Sequence, residues 1–359
     1  MKKRSPYFAS AYLLAAGLLA IWIFQPVLTH AAPFYQGKTI EILGESRVGG
    51  GTDTMARITA AVLPMHIPGN PKIVVRSMPG GGGSIANNIF YARGKPDGLH
   101  LLQNSSSPVS MQQRGNEIVK YDLRKLEHIG HVVRGGNVIF IRKGKMKNLL
   151  DPKAEPAVVG TKEGEETWLA MLIWGKEFLD WNIRFIPGYT GTSDIELAFQ
   201  RGEVDVFGTS NSFLIKRLLE QDMIELVCQN GTYKKGKFKR RPDFADVQTF
   251  EDLLVSKNKK PTGVPWQAYI AWLGSNMVDK SLSAPRNTPE KYVSILRTAF
   301  DKMGEDPKFD ALITKMVTPV YDVVSGTDTR DVLDQVLGAP KEAIDYGISL
   351  QKKFGLIAQ

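Results

Sequence analysis

Within about forty residues the chain twice runs an apolar strand into a glycine-rich turn and then into a helix. The first copy spans residues 40–43 (IEIL) and 44–53 (GESRVGGGTD), with a helix from about Thr54. The second spans residues 73–75 (IVV) and 78–84 (MPGGGGS), with a helix through Asn87 and Tyr91. Such turns bring bare backbone N–H groups to the positive end of a helix, where they hold an anion without a cationic side chain. Glycine permits both the positive φ and the close approach of a ligand. Two such turns side by side predict a cleft for a small anionic molecule; two ordinary tight turns are the plain alternative.

The N-terminus bears on compartment. Lys2, Lys3 and Arg4 precede an apolar stretch over residues 11–24, and Thr29-His30-Ala31 offers small residues at −3 and −1 before Ala32. That is the anatomy of a secretory signal peptide. The apolar run is shorter than the roughly 20 residues that span a bilayer comfortably. Cleavage near Ala31-Ala32 is therefore expected over an uncleaved anchor, giving an exported, periplasmic protein. Without the three cations of residues 1–31 the net charge falls from +9 to +6. The one dense basic run, Lys234, Lys235, Lys237, Lys239, Arg240 and Arg241, reads as a solvated loop, with a membrane partner or anionic lipid as the alternative. No nucleic-acid recognition motif accompanies it.

Cys228 is the single cysteine and sits in the apolar run 224–228 (IELVC), where a buried strand thiol is expected. His128 and His131 are spaced i, i+3, but no acidic or cysteine ligand lies in register, so no metal is expected. Residues 32–359 suffice for two domains.

Strand-like and helix-like segments alternate along those residues, which predicts an α/β fold with largely parallel sheets. A third strand, 98–102, ends in the polar turn 104–108. Ligands collect at the carboxyl ends of strands in such sheets. Residues 132–141, interrupted by Gly135-Gly136, read as a crossover into a second domain, where the pattern restarts. Strands at 156–159, 183–186 and 204–207 run into the turns 160–164, 187–193 and 208–211. A helix is expected over 194–201, capped by Ser193 or Asp194. Two amphipathic helices, 289–303 and 329–354, are expected to close the chain, Pro340 interrupting the second.

Enzymatic readings find little support. Gly81-x-Gly83-x-x-Ala86 fits a dinucleotide-binding fingerprint, but the acid expected about 20 residues on is replaced by Asn104 and serines. No G-x-S-x-G occurs, and the serines at 105–107 have no histidine at a telling spacing. The chain reads as a receptor without chemistry or cofactor.

The ordered motifs resemble a family. Gly49-Gly50-Gly51-Thr52-Asp53-x-x-Ala56-Arg57 resembles the P-G-G-x-x-D-x-x-A-R signature of the periplasmic receptors of tripartite tricarboxylate transporters, the TctC-like or Bug-type proteins. Met78-Pro79-Gly80-Gly81-Gly82 resembles their second loop, and Pro96-Asp97-Gly98 their turn before the third strand. Gly202-Glu203-Val204-Asp205 and Ala284-Pro285-Arg286-Asn287-Thr288-Pro289 resemble two later segments. The resemblance covers roughly residues 34–355 and implies a two-lobed α/β clamshell of the type II periplasmic-binding-protein kind, with the ligand cleft between lobes. Residues 32–131 with 262–359 would form the first lobe and 132–261 the second.

The resemblance also implies a site. One solute carboxylate would be held by Ser46, Arg47, Gly49, Gly50, Gly51, Thr52 and Asp53, by Gly80, Gly81 and Gly82, and by Asn104, Ser105 and Ser106. The second lobe would contribute Gly160, Thr161, Tyr189, Thr190, Gly191, Thr209, Ser210 and Asn211. Asp53 is expected to brace its loop and pair with Arg57. The implied partners are a small organic carboxylate and membrane permease subunits, with the receptor a monomer. A ligand-sensing module or an exported α/β enzyme are the alternatives. The chain departs from the pattern at Arg47, which would pair with a carboxylate or remain a solvated charge, and at Glu163, Glu165 and Glu166, which would repel a polyanion unless they face outward.

Overall fold

The computed structural model describes residues 32–357 except 163, 165, 235 and 236. The expected signal peptide lies outside the described residues. Tyr35–Gln359 form one compact unit, distinct from Met1–Phe34.

Thirteen strands are described: β1 Thr39–Gly44, β2 Lys72–Ser77, β3 His100–Gln103, β4 Glu127–Arg134, β5 Val138–Arg142, β6 Ala157–Gly160, β7 Ile183–Ile186, β8 Val206–Thr209, β9 Ile224–Gln229, β10 Thr232–Lys234, β11 Lys237–Lys239, β12 Lys280–Ala284 and β13 Tyr321–Ser325. They form a six-stranded sheet in the order β13-β4-β12-β3-β1-β2, a five-stranded sheet β7-β6-β8-β5-β9, and the hairpin β10-β11. Each large sheet has helices against it, so the α/β expectation holds.

The sheets are mixed rather than largely parallel. β1 pairs in parallel with β2 and β3, and β6 with β7 and β8. β12, β4 and β13 add antiparallel ladders to the first sheet, and β5 and β9 do so in the second. The reason lies in the chain path. β4 runs through residues 135–137 directly into β5 of the second sheet, and β12 and β13 return from later in the chain to flank β4 in the antiparallel sense. Gly136 in that link passes so close to Gly231 that a Cβ would lie 1.9 Å from its carbonyl oxygen.

The second core is built round the helix Leu169–Phe178, whose residues from Leu169 to Gly175 are all buried. A helix apolar on every side must be enclosed, and Trp174 meets Tyr269 and Trp272 edge-on at 5.6 and 5.8 Å. Each large apolar side chain so buried contributes about 1.5–3 kcal/mol of transfer free energy. The helices Val264–Gly274 and Lys341–Lys353 bury Trp272, Leu273, Ala343 and Leu350 in this same core. This core thus draws on residues from both sides of 261/262.

Other local expectations change. The helix expected over 194–201 is Thr192–Arg201, and its N-cap is Gly191 with no side-chain cap rather than Ser193 or Asp194. The helix expected over 289–303 is Glu290–Gly304, and that over 329–354 is Gly326–Leu337 and Lys341–Lys353, parted at Pro340 as expected; the helix Pro307–Met316 and the edge strand β13 lie between them and were not expected. Arg241, read as part of a solvated run, is fully buried, whereas Arg240 is exposed and pairs with Asp252 at 3.1 Å. Cys228 is a buried strand thiol, pushed up by burial.

His128 and His131 lie buried on β4. His128 bonds the Leu123 carbonyl at 2.9 Å and Ser283 at 3.1 Å, and His131 bonds Thr329 at 2.8 Å. Burial pushes both down to about 4. Among the described residues no group of three or more His, Cys, Asp or Glu is placed to hold a metal.

Candidate functional site

The parallel strands β1, β2 and β3 deliver three loops to one end of the first sheet. After β1 the chain turns through Glu45–Gly50 into the helix Gly51–Val62. Asp53, buried in its first turn, accepts from the Gly49 N–H at 2.9 Å, from Ser77 at 3.1 Å and from Arg57 at 2.8 and 3.1 Å. Burial opposes its charge, but the Arg57 hydrogen bonds and the Gly49 N–H outweigh that and hold the carboxyl below its usual range. Asp53 thus braces the loop, and Ser46 Oγ accepts from the Asp53 N–H at 3.0 Å. The N–H groups of Gly51 and Thr52 have no intrahelical acceptor, and both residues line the cleft.

The second loop is Gly80–Gly83, four consecutive residues at φ 129, 53, 59 and 98°. L side chains are strained throughout that region, so the run of glycines is a backbone requirement. In the third loop Asn104 is buried, exchanging hydrogen bonds of 2.9 Å with Asn87, while Ser105 and Ser106 reach the cleft.

The opposite wall comes from the carboxyl ends of the second sheet's strands: Lys162, Thr167, Trp168, Thr190–Ser193, Phe207–Thr209 and Asn211. Together the walls surround about 1130 Å³ including the open mouth. Side-chain contacts cross it, Thr167 Oγ1 donating to Asn276 at 2.6 Å among them. Lys162 Nζ donates to Ser107 Oγ at 3.1 Å, and Arg47, half exposed, lies 3.5 Å from Asp194.

Of the sequence-predicted site residues, the cleft brings together Ser46, Arg47, Gly49, Gly50, Gly51, Thr52, Gly80, Gly82, Ser105, Ser106, Thr190, Gly191, Thr209 and Asn211. Seven others stand behind it. Asp53 braces, Asn104 is locked to Asn87, and Gly81 packs near Ile118 and Ile85. Thr161 is buried and donates to Glu166 at 2.6 Å. Gly160 makes room for the Tyr189 ring, whose edge a Cβ there would meet at 2.7 Å. Ser210 is buried, and its carbonyl accepts from Arg241 at 3.0 Å. Glu166 does line the cleft, yet its carboxylate is occupied by Thr161 and by the Lys162 N–H at 2.8 Å. Glu163 and Glu165 lie outside the described residues.

Sequence reasoning missed the charged floor. Arg134 at the end of β4 donates to Asp279 at 2.6 Å, and Lys280 at the start of β12 donates to the same carboxylate at 3.0 Å. All three line the cleft. Burial opposes the Asp279 charge, but the two cations outweigh it and hold the carboxyl at about 2. Burial and then Arg134 push Lys280 down to about 8, against the pull of Asp279. One carboxylate between two cations leaves a net positive floor beneath the glycine loops. The signal in the sequence was faint: a lone Asp-Lys pair before an apolar strand, more than 140 residues from Arg134.

No family model matches the chain, and no curated protein matches it. Solved structures do. A periplasmic binding protein, BugD, superposes with a TM-score of 0.62 at 18% identity, over 90% of this chain and 100% of its own. Rpa4515 of R. palustris, solved with adipate, gives 0.64 at 18% over 89% and 97%. MatC of Rhodopseudomonas palustris, solved with malate, gives 0.60 at 18% over 87% and 98%. At that identity the likeness speaks for the fold. The chain accordingly has the two-lobed α/β fold of BugD-like periplasmic binding proteins, the fold its glycine-loop motifs implied.

Proposed function

We propose that this protein is an exported solute-binding receptor that captures a small carboxylate-bearing solute in the cleft and delivers it to a membrane permease of the tripartite tricarboxylate type. The observation that carries the reading is the first-sheet wall. Two glycine loops and a serine loop converge over a floor where Arg134 and Lys280 share one carboxylate. That arrangement offers backbone N–H groups, hydroxyls and net positive charge to an anion. The similar folds solved with malate and adipate support the carboxylate class. No helix among the described residues is long and apolar enough to cross a membrane. The basic n-region and apolar stretch of residues 1–31 support export. Arg47–Asp194 and Lys162–Ser107 join the walls across the cleft, the kind of contact by which a bound solute would favour a closed state.

The test is a thermal-shift screen of the secreted protein after partial unfolding and refolding to remove carried-over solute. The panel holds mono-, di- and tricarboxylates, malate and adipate among them, with NAD as the contrasting ligand. A solute at a hundred times its dissociation constant adds about 2.7 kcal/mol, a rise of several degrees. A shift confined to one carboxylate class is the expected result. A shift with NAD and none with carboxylates would overturn the reading.

A further inference from the structure

One acid in the cleft wall is unexplained by anion binding through backbone groups. Glu45 directly follows β1, where the three loops of the first sheet meet, and it is 5% exposed. Its Oε1 accepts from the Ser105 N–H at 3.0 Å. Its Oε2 is buried and has no hydrogen-bond partner among the described residues. That oxygen rests on Gly83, where a Cβ would come within 1.7 Å of it.

The charged and titratable groups facing Glu45 are Lys162 from the loop after β6, Lys280 from β12, and Tyr121. The Tyr121 hydroxyl is engaged with the Pro108 carbonyl at 2.9 Å and with Ser84 at 3.3 Å. Burial pushes the Glu45 carboxyl above its usual range against the pull of Lys162, the Ser105 hydrogen bonds and Lys280. An ionised Oε2 here is a buried charge without a donor, which is costly. A neutral carboxyl instead presents one O–H that needs an acceptor. The solute carboxylate expected beside these loops is such an acceptor, and its own negative charge further favours the neutral form of Glu45.

We propose that Glu45 contacts the solute as the neutral acid, its carboxyl turning from Gly83 to donate one O–H to a carboxylate oxygen, so that the cleft holds the anion together with one proton. The proton comes from solvent and stays on Glu45, and no bond of the solute changes. The inference rests on the carboxylate-receptor reading above. It adds a selectivity: a solute presenting an ammonium at this end would need Glu45 ionised.

The test is calorimetric titration of the secreted protein with malate and with adipate between pH 6 and pH 8.5, alongside Glu45→Gln and Glu45→Ala. Affinity of the unaltered protein should fall as pH rises, by up to tenfold per pH unit above the Glu45 midpoint. Glu45→Gln, whose amide donates at every pH, should lose that slope. Glu45→Ala, with no donor, should bind about ten- to a hundredfold more weakly than Glu45→Gln. A weakening near pH 8 common to all three proteins belongs to Lys280. Affinity that is flat with pH overturns the role of Glu45 and leaves the receptor reading standing. Affinity that rises with pH and is lost in Glu45→Gln assigns the position to a donor group of the solute instead. Absence of binding by every carboxylate overturns the receptor reading. A solute-free readout decides the proposal in that case as well: the carboxyl ¹³C shift of Glu45 should titrate above the usual carboxylate range, and a midpoint inside that range sinks the idea.

Discussion

The buried guanidinium of Arg241 donates to the carbonyl oxygen of Gly136 at 2.7 Å, tying the end of a basic sequence run to the link between the two sheets. The same group donates to the Ser210 carbonyl at 3.0 Å, to Thr318 at 3.1 Å, and through two nitrogens to Asp243 at 2.7 and 3.0 Å. Arg241 is 0% and Asp243 5% exposed. Removing one partner of such a pair strands the other charge in the interior, at a cost of about 3–5 kcal/mol. Arg241→Met should lower unfolding stability in urea by that order, and Arg241→Met with Asp243→Asn should recover part of it. A loss below about 1 kcal/mol would mean the network contributes little to the link.

Gly83 and Gly49 separate two reasons for a glycine. Both have positive φ, 98° and 84°. A Cβ at Gly49 meets open space, whereas one at Gly83 would collide with the Glu45 carboxylate. Gly49→Ala should therefore cost only the left-handed backbone term, about 1–2 kcal/mol. Gly83→Ala should cost more and displace Glu45, removing the pH dependence of carboxylate binding. Equal losses in the two variants would show that the Glu45 seat adjusts freely.

What could be read from the chain was local. Strand, glycine turn and helix follow one another within about a dozen residues, so loops one and two stand as expected, and the Asp53–Arg57 pair needs only helical spacing. The floor is the opposite case. Arg134 ends β4, Lys280 starts its antiparallel neighbour β12 and Asp279 directly precedes it, and only the pairing of those strands brings the three together. β13 was not read at all, because YDVVS is short and sits between helical segments, and its strand state comes from pairing with β4. Arg241 was misread through its neighbours: a run of cations describes a surface only if each member faces the same way.

His128 and His131 make stability fall on the acid side well before the carboxylates titrate. Burial holds each imidazole at about 4, whereas in the unfolded chain it protonates near 6.5. The unfolded state therefore binds more protons between those values. The stabilisation from keeping them neutral is complete above pH 6.5 and is lost as pH falls towards 4. The loss should approach roughly 3 kcal/mol per histidine. Urea midpoints measured from pH 7.5 to pH 4 should show this slope, and His131→Gln should remove about half of it. Glu45, raised rather than lowered, gives a slope of opposite sign, so Glu45→Gln should steepen the acid loss.

Asp279 sets how much positive charge the cleft floor offers a solute. It lies between Arg134 and Lys280 and is ionised at every physiological pH. Asp279→Asn leaves two buried cations without their counter-charge, and stability in the solute-free protein should fall by about 3 kcal/mol. The same change exposes a solute carboxylate to the full field of both cations, so at pH 6 affinity should rise, by about tenfold for each 1.4 kcal/mol gained. The gain should not survive at pH 8. Asp279 is one of the groups that hold Lys280 as high as about 8, and without it the ammonium deprotonates at lower pH. Titrations with malate or adipate at both pH values check the sign: a variant weaker than the unaltered protein at pH 6 would mean that Asp279 positions the cations for the solute instead of competing with it.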